Sequence, residues 1–243
     1  MKKFLFLFLI LALGFAKPKM AVVIDDFGYS SKEARYFASL NYPLNMAVIP
    51  GQTYSKACAQ EITKSGKHLL IHFPWPPFGK DPETKYPIRI EQGYSTENVI
   101  QMLEQAIASV PSANGINNHM GSILSLDQVM LDRFMLVLSG QPEQFYFLDS
   151  HTAQGSLARR TAQLHGLPAA RNNIFLDGVQ TDAAIEKRFA EAVAMAEKNG
   201  TVIAICHAER PATKRVLKRL LTKYNSRVEF VFLPEIITAR EKK

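Results

Sequence analysis

Asp25 and Asp26 stand side by side directly after an apolar, β-branched run, Met20 to Ile24. Further along, His72, His119, Asp149 and His207 each close a similar short stretch. Two adjacent carboxylates repel each other unless a cation or a shared proton lies between them. Imidazole nitrogen and carboxylate oxygen suit zinc and its first-row neighbours. Three such ligands with an open position make a catalytic metal site, in which water loses its proton near neutrality and a carbonyl is polarised. A further carboxylate near the water can act as general base, and a histidine across the site can protonate a leaving group. A lone Asp after a strand is ordinarily a helix cap, and a lone His is ordinarily a core or loop residue. Five strand ends all carrying Asp or His point instead to one shared metal-binding site.

Such a site requires strands whose ends meet. Apolar runs at Met20–Ile24, Leu44–Ile49, His68–Phe73, Gly115–Asn117, Phe145–Leu148, Ile174–Leu176, Thr201–Cys206 and Val228–Phe232 read as strands. Helical patterns lie between them: Ser30 or Ser31 to Leu40, Tyr54–Ser65, Ser95 or Thr96 to Val110, Leu126–Leu138, Ser156–His165, Asp182–Lys198 and Thr213–Tyr224. Such alternation means a parallel sheet with right-handed crossovers. A closed or nearly closed β/α barrel competes with an open doubly wound sheet. The strand count favours the barrel, and no GxGxxG follows the first strand to support a dinucleotide-binding sheet. We expect an α/β fold, a distorted barrel of about seven to eight parallel strands with its chemistry at their C-terminal ends. One long loop, Phe78 to Tyr94, interrupts the alternation, and long loops in compact domains are usually functional. Trp75 just before it, with Phe78 and Tyr94 at its ends, could stack on sugar rings or form a hydrophobic lid.

The N-terminus reads as an export signal: basic Lys2-Lys3, apolar Phe4 to Leu13, then Gly14-Phe15-Ala16. The apolar stretch is short of the roughly 18 to 20 residues that a membrane span needs. Residues 1–16 are therefore expected to be a signal peptide and 17–243 a single domain, exported to the periplasm or beyond. An uncleaved signal would leave a membrane tether; no other stretch is apolar enough to span. The formal charge is +7. Part of the excess falls at helical spacing, at Lys214, Arg215, Lys218, Arg219 and Lys223, as on a solvated helix face. Export removes nucleic acid as a partner. Cys58 and Cys206 sit in apolar patterns with no CxxC partner and read as buried free thiols.

Seven blocks occur in order: Ile24-Asp25-Asp26-Phe27-Gly28, Ala47-Val48-Ile49-Pro50, His72-Phe73-Pro74, Asn117-Asn118-His119-Met120-Gly121-Ser122, Phe147-Leu148-Asp149-Ser150, Phe175-Leu176-Asp177 and Ile205-Cys206-His207. Together they resemble the divergent polysaccharide deacetylases, relatives of the carbohydrate esterases with a NodB-like distorted barrel. The resemblance implies a divalent metal, zinc by ligand type, held by Asp26, His72 and His119. It implies Asp25 as base, His207 as the acid for the leaving amine, and Asp149 as the carboxylate that tunes a catalytic partner. Asn117, Asn118, Ser122 and Ser150 would orient ligands, and Arg171 and Asp177 would pair at the rim. The implied reaction is removal of N-acetyl groups from an envelope or extracellular polysaccharide. Two readings compete: a non-catalytic metal- or glycan-binding envelope protein, and a metal-free glycosidase using Asp25 and Asp149. Unlike that wider group, His72 has no second histidine one helical turn away. His68, at i−4 on a strand, lies about 13 Å off at about 3.3 Å per residue. His151 stands where Arg is usual, and Cys206 where Gly is.

Overall fold

The computed structural model describes residues 16–80, 82 and 85–237. The expected export segment falls outside these except for Ala16. The chain runs β1 (Lys19–Phe27), α1 (Ser31–Ala38), β2 (Leu44–Val48), α2 (Ser55–Lys64), β3 (His68–Trp75), α3 (Thr96–Ser109), β4 (Gly115–Met120) and α4 (Gln128–Ser139). It continues through β5 (Tyr146–Asp149), α5 (Ala158–Leu164), β6 (Ala169–Arg171), β7 (Ile174–Phe175), α6 (Asp182–Asn199), β8 (Thr201–His207), α7 (Pro211–Tyr224) and β9 (Glu229–Phe230). Local chemistry sets the helix starts. Ser30, Asp127 and Thr181 accept first-turn N–H groups, and Ser95 forms a capping box with Asn98. Pro211 opens α7, and Gly200 ends α6 in the left-handed conformation.

All the ladders are parallel, in the order β6-β5-β4-β3-β2-β1-β8-β7, with β9 against the start of β1. The end strands β6 and β7 are joined by only Asn172 and Asn173, so the sheet must curl until its edges nearly meet. On either side of that seam Asn172 N–H donates to Asp149 O of β5 (2.9 Å), and Asn173 N–H to Ile203 O of β8 (3.0 Å). Ile203 N–H returns a bond to Asn173 Oδ1 (2.8 Å). This is the expected distorted barrel, closed at one point by asparagines rather than by a ladder.

The strand pleat sorts two cores. Ala21, Val23, Ala47, Leu70, Leu148, Ile203 and Ile205 fill the barrel, while Met20, Val22, Ile24 and their counterparts face the helices. Near the floor Gly115 leaves room for Tyr146, whose hydroxyl meets His68 Nε2 at 2.7 Å. The C-terminal segment closes the floor with Val231, Leu233 and Ile237, and Leu233 N–H donates to the buried Asn45 side chain (2.8 Å). Both cysteines are buried and free. Among the described residues no helix is long and apolar enough to cross a membrane.

Candidate metal centre

The inward stripe of each strand changes from apolar to polar at one level. Val23 is followed two residues on by Asp25, Leu70 by His72, Ile205 by His207 and Leu148 by Ser150; on β4 the inward positions carry Asn117 and then His119. Period-two alternation thus delivers these side chains to the barrel mouth. Asp26 breaks the alternation. Between Ile24 and Phe27, β1 advances three residues while β2 advances two, from Met46 to Val48. This bulge, with Asp26 at φ 69°, turns a second carboxylate toward the same space. Left-handed backbone is costly for a residue with a Cβ and is commonly held at functional sites. Met120 (φ 56°) and His151 (φ 60°) adopt it at neighbouring strand ends.

Asp26 Oδ1 lies 3.3 Å from His72 Nε2 and 3.0 Å from His119 Nδ1, and those two nitrogens are 3.0 Å apart. Ligands about 2.0–2.1 Å from a tetrahedral zinc stand about 3.3 Å from one another, so these spacings fit such an ion. The donor set fits as well. His72 Nδ1 contacts Asn117 Oδ1 (2.9 Å), whose amide group is oriented by Nδ2 donating to Asp25 Oδ1 (2.9 Å). An amide oxygen only accepts, so Nδ1 carries the proton and Nε2 turns a lone pair inward. His119 engages Tyr86 Oη through Nε2 (2.9 Å), leaving Nδ1 to face inward too. Asp26 is 9% exposed, and its Oδ1 accepts no well-directed hydrogen bond among the described residues. Three lone pairs aimed at one point, two of them on buried residues, suit a cation.

Burial pushes the Asp26 carboxyl up, but the close imidazoles of His119 and His72 outweigh it and hold the group well below its usual range. Burial pushes Asp25 up, against the pull of His72 and His207, and the net direction is upward. Burial would lower His72, but Asp25 and Asp26 prevail and raise it; for His119 burial prevails and lowers it.

His207 pairs with Asp25 across the β1–β8 ladder. Burial would lower its pKa, but Asp177 and both mouth carboxylates raise it. Asp177, fully buried, accepts from His207 Nδ1 and from the His207 N–H (both 2.8 Å), from Thr213 Oγ1 (2.7 Å) and from Arg210 (3.1 Å). The expected rim pair of Arg171 and Asp177 does not form. Arg171 binds Asp149 instead (3.0 Å), together with Ser156 Oγ (2.9 Å) and the His151 N–H (2.8 Å). Asp149 therefore braces the strand end beside the site, and Asp177 is the carboxylate that grips a histidine.

Ser150 Oγ accepts from Asn117 Nδ2 at 3.2 Å, and Asn118 Oδ1 accepts from the Ser150 N–H at 2.9 Å. Ser122 Oγ accepts from the Phe78 N–H at 2.6 Å, tying the long loop to β4's end. Trp75 departs from expectation. It is fully buried, stacked on Phe147 and edge-on to Phe134, with no face left for a sugar. Phe78 is exposed, whereas Tyr94 packs against the core. The sequence reading missed Tyr86, Thr213 and Arg210. Only Tyr86 carried a signal, as a polar aromatic inside the long loop. A cleft of about 260 Å³ opens beside Asp26, lined by Tyr29, Glu33, Lys85 and Glu209.

Over 203 residues the chain is 36% identical to the uncharacterized protein YibQ of Escherichia coli, covering 84% of this chain and 62% of that protein. It thus spans less than two thirds of that relative's length. An uncharacterized protein of Agrobacterium tumefaciens has a similar structure, with TM-score 0.84 and 20% identity, covering 92% of this chain and 91% of that one. The catalytic domain of a peptidoglycan N-acetylglucosamine deacetylase from Eubacterium rectale shares the fold at TM-score 0.55 and 12% identity, covering 94% of each chain. A family model for divergent polysaccharide deacetylases matches residues 22–237, nearly the whole described chain. This chain belongs to the divergent polysaccharide deacetylase family.

Proposed function

We propose that this protein is an exported, metal-dependent hydrolase that removes N-acetyl groups from an envelope or extracellular polysaccharide. The observation that carries this reading is the convergence of Asp26, His72 and His119 between a buried carboxylate, Asp25, and a carboxylate-held imidazole, His207. A divalent ion held by the three ligands, zinc by the nature of the donors, supplies Lewis acidity that polarises an acetamide carbonyl and acidifies water. Asp25, its carboxylate steered by Asn117 Nδ2, accepts the proton of the attacking water. Asn117 holds the Asp25 carboxylate and the His72 ring in fixed relation. Asp177 holds the Nδ1 proton of His207, which leaves Nε2 to deliver a proton to the departing amine. The signal pattern of residues 1–16 supports export.

The test is bound-metal analysis of the mature protein, purified without chelating resin, followed by acetate release from N-acetylated oligosaccharides. Asp25→Asn is expected to keep the metal and lose the activity; His119→Ala is expected to lose both. Stoichiometric metal with no acetate release from any glycan would leave a binding protein. Activity that survives exhaustive chelation would point to carboxylate-only chemistry.

A further inference from the structure

We infer that Tyr86 is a positioning residue for the metal centre: its hydroxyl holds the His119 ring in the orientation that turns Nδ1 toward Asp26 and His72, and so ties the loop between β3 and α3 to the metal. The inference rests on the metal reading above and adds to it a loop residue that the strand-end motifs do not contain.

His119 is the loosest of the three ligands. Its side chain is 15% exposed, against 3% for His72 and 8% for Asp26. It sits one residue from the end of β4, just before the left-handed pair Met120 and Gly121. An imidazole that turns about its bond to Cβ puts carbon where nitrogen stood, so a single contact to the outer nitrogen holds Nδ1, rather than Cδ2, toward Asp26 and His72. Tyr86 makes that contact, at 2.9 Å from Nε2, with the two rings 5.0 Å apart and nearly edge-on. The phenol is itself buried, at 4% exposure. With Nε2–H donating to Tyr86 Oη, Nδ1 is left as the lone-pair donor.

Tyr86 can do this because the loop is bound on both sides of it. The Lys85 carbonyl accepts from Gln52 Nε2 (2.9 Å), and the Ile90 N–H donates to the Pro74 carbonyl (3.1 Å). Ile88 packs so closely over Gly51 that a Cβ there would lie 3.0 Å from it. Lys85 Nζ sits 4.7 Å above the Tyr29 ring, closing the other flank. Partners beyond the ligands themselves set ring orientation and ligand basicity at metal sites, and removing one typically costs about 10- to 100-fold in metal affinity. Linkage makes the effect reciprocal: whatever the loop contributes to metal binding, the metal returns to the loop.

The test compares the wild-type chain with Tyr86→Phe, using zinc as the probe. The expected result is a dissociation constant raised by about 10- to 100-fold, with the melting temperature of the metal-free protein unchanged. Nitrogen-15 spectra are expected to show one His119 tautomer in the wild type and a mixture in the variant. Zinc is expected to slow amide exchange over residues 86–90 in the wild type only. Equal affinity together with an unchanged tautomer would overturn the inference. In the zinc-loaded wild type a fast-exchanging His119 Nε2 proton would overturn it with no variant needed. Failure of the wild type to bind zinc would sink the metal reading instead, and the tautomer comparison would then decide Tyr86 on its own.

Discussion

Asp177 grips His207 at two points, accepting from its backbone N–H and from Nδ1, both at 2.8 Å. One contact fixes where the residue sits and the other fixes which nitrogen carries the proton. The ion pair raises His207, so its stabilisation is complete below the unfolded value of 6.5 and fades as pH rises through the folded value. Asp177 is lowered, so its share is complete above 3.8 and fades as pH falls through the folded value. Asp177→Asn is expected to destabilise the fold by about 2 kcal/mol near pH 5 and by less near pH 9. Urea denaturation at the two pH values measures this, and an equal loss at both would refute the pairing. In the activity assay, the alkaline limb is expected to move to lower pH in the variant.

Zinc added to the metal-free protein is expected to raise the melting temperature, since it binds only the folded site. A 100-fold excess over the dissociation constant adds about 2.7 kcal/mol. His119→Ala and Asp26→Asn are each expected to abolish the rise, as followed by scanning calorimetry. A rise that persists in both variants would place the metal elsewhere.

Trp75 is a core residue. Trp75→Leu is expected to cost about 3 kcal/mol of stability through lost packing on Phe134 and Phe147. Near the low end of the unfolding curve, the KM for a glycan is expected to stay the same. A raised KM with unchanged stability would restore a sugar-stacking role.

A methyl group on Gly115 would sit 2.2 Å from the Tyr146 ring. Gly115→Ala is therefore expected to destabilise the barrel by about 1–3 kcal/mol through overpacking. Adding Tyr146→Phe removes a clashing oxygen but not the ring, so it is expected to recover only part of the loss. Chemical denaturation of the single and double variants checks both figures.

Much of this architecture was legible because it depends on local pattern. The seven helices follow apolar periodicity and caps such as Ser95 and Asp127. The parallel sheet follows from the alternation of strand and helix patterns. The three-residue β6 was not legible, because it carries too little pattern to separate it from the turn after α5. Nor was the bulge in β1. Alternation alone sends Asp25 and Asp26 to opposite faces, and their shared orientation comes from the register between β1 and β2. The exchange of partners between Arg171 and Asp177 has the same origin. Position at a strand end shows that a carboxylate is near the mouth, but only strand pairing decides that Asp149 meets Arg171, its partner across β5 and β6, and that Asp177 meets His207 beyond the β7–β8 ladder. Tyr86 reaches His119 from 33 residues away in sequence, through a loop with no periodicity.

Beyond its half-buried first residue, every residue of β1 is buried, and the strand is flanked by β2 and β9 on one side and β8 on the other. Its two carboxylates therefore ride on a segment that can be exposed only when the whole molecule unfolds, whereas His119 depends on a strand tip and a loop. Wear at the centre is then one-sided. An ion would escape by the histidine letting go while the aspartates stay in place, and a protein stripped in this way would keep an intact acidic seat, ready to be refilled without refolding.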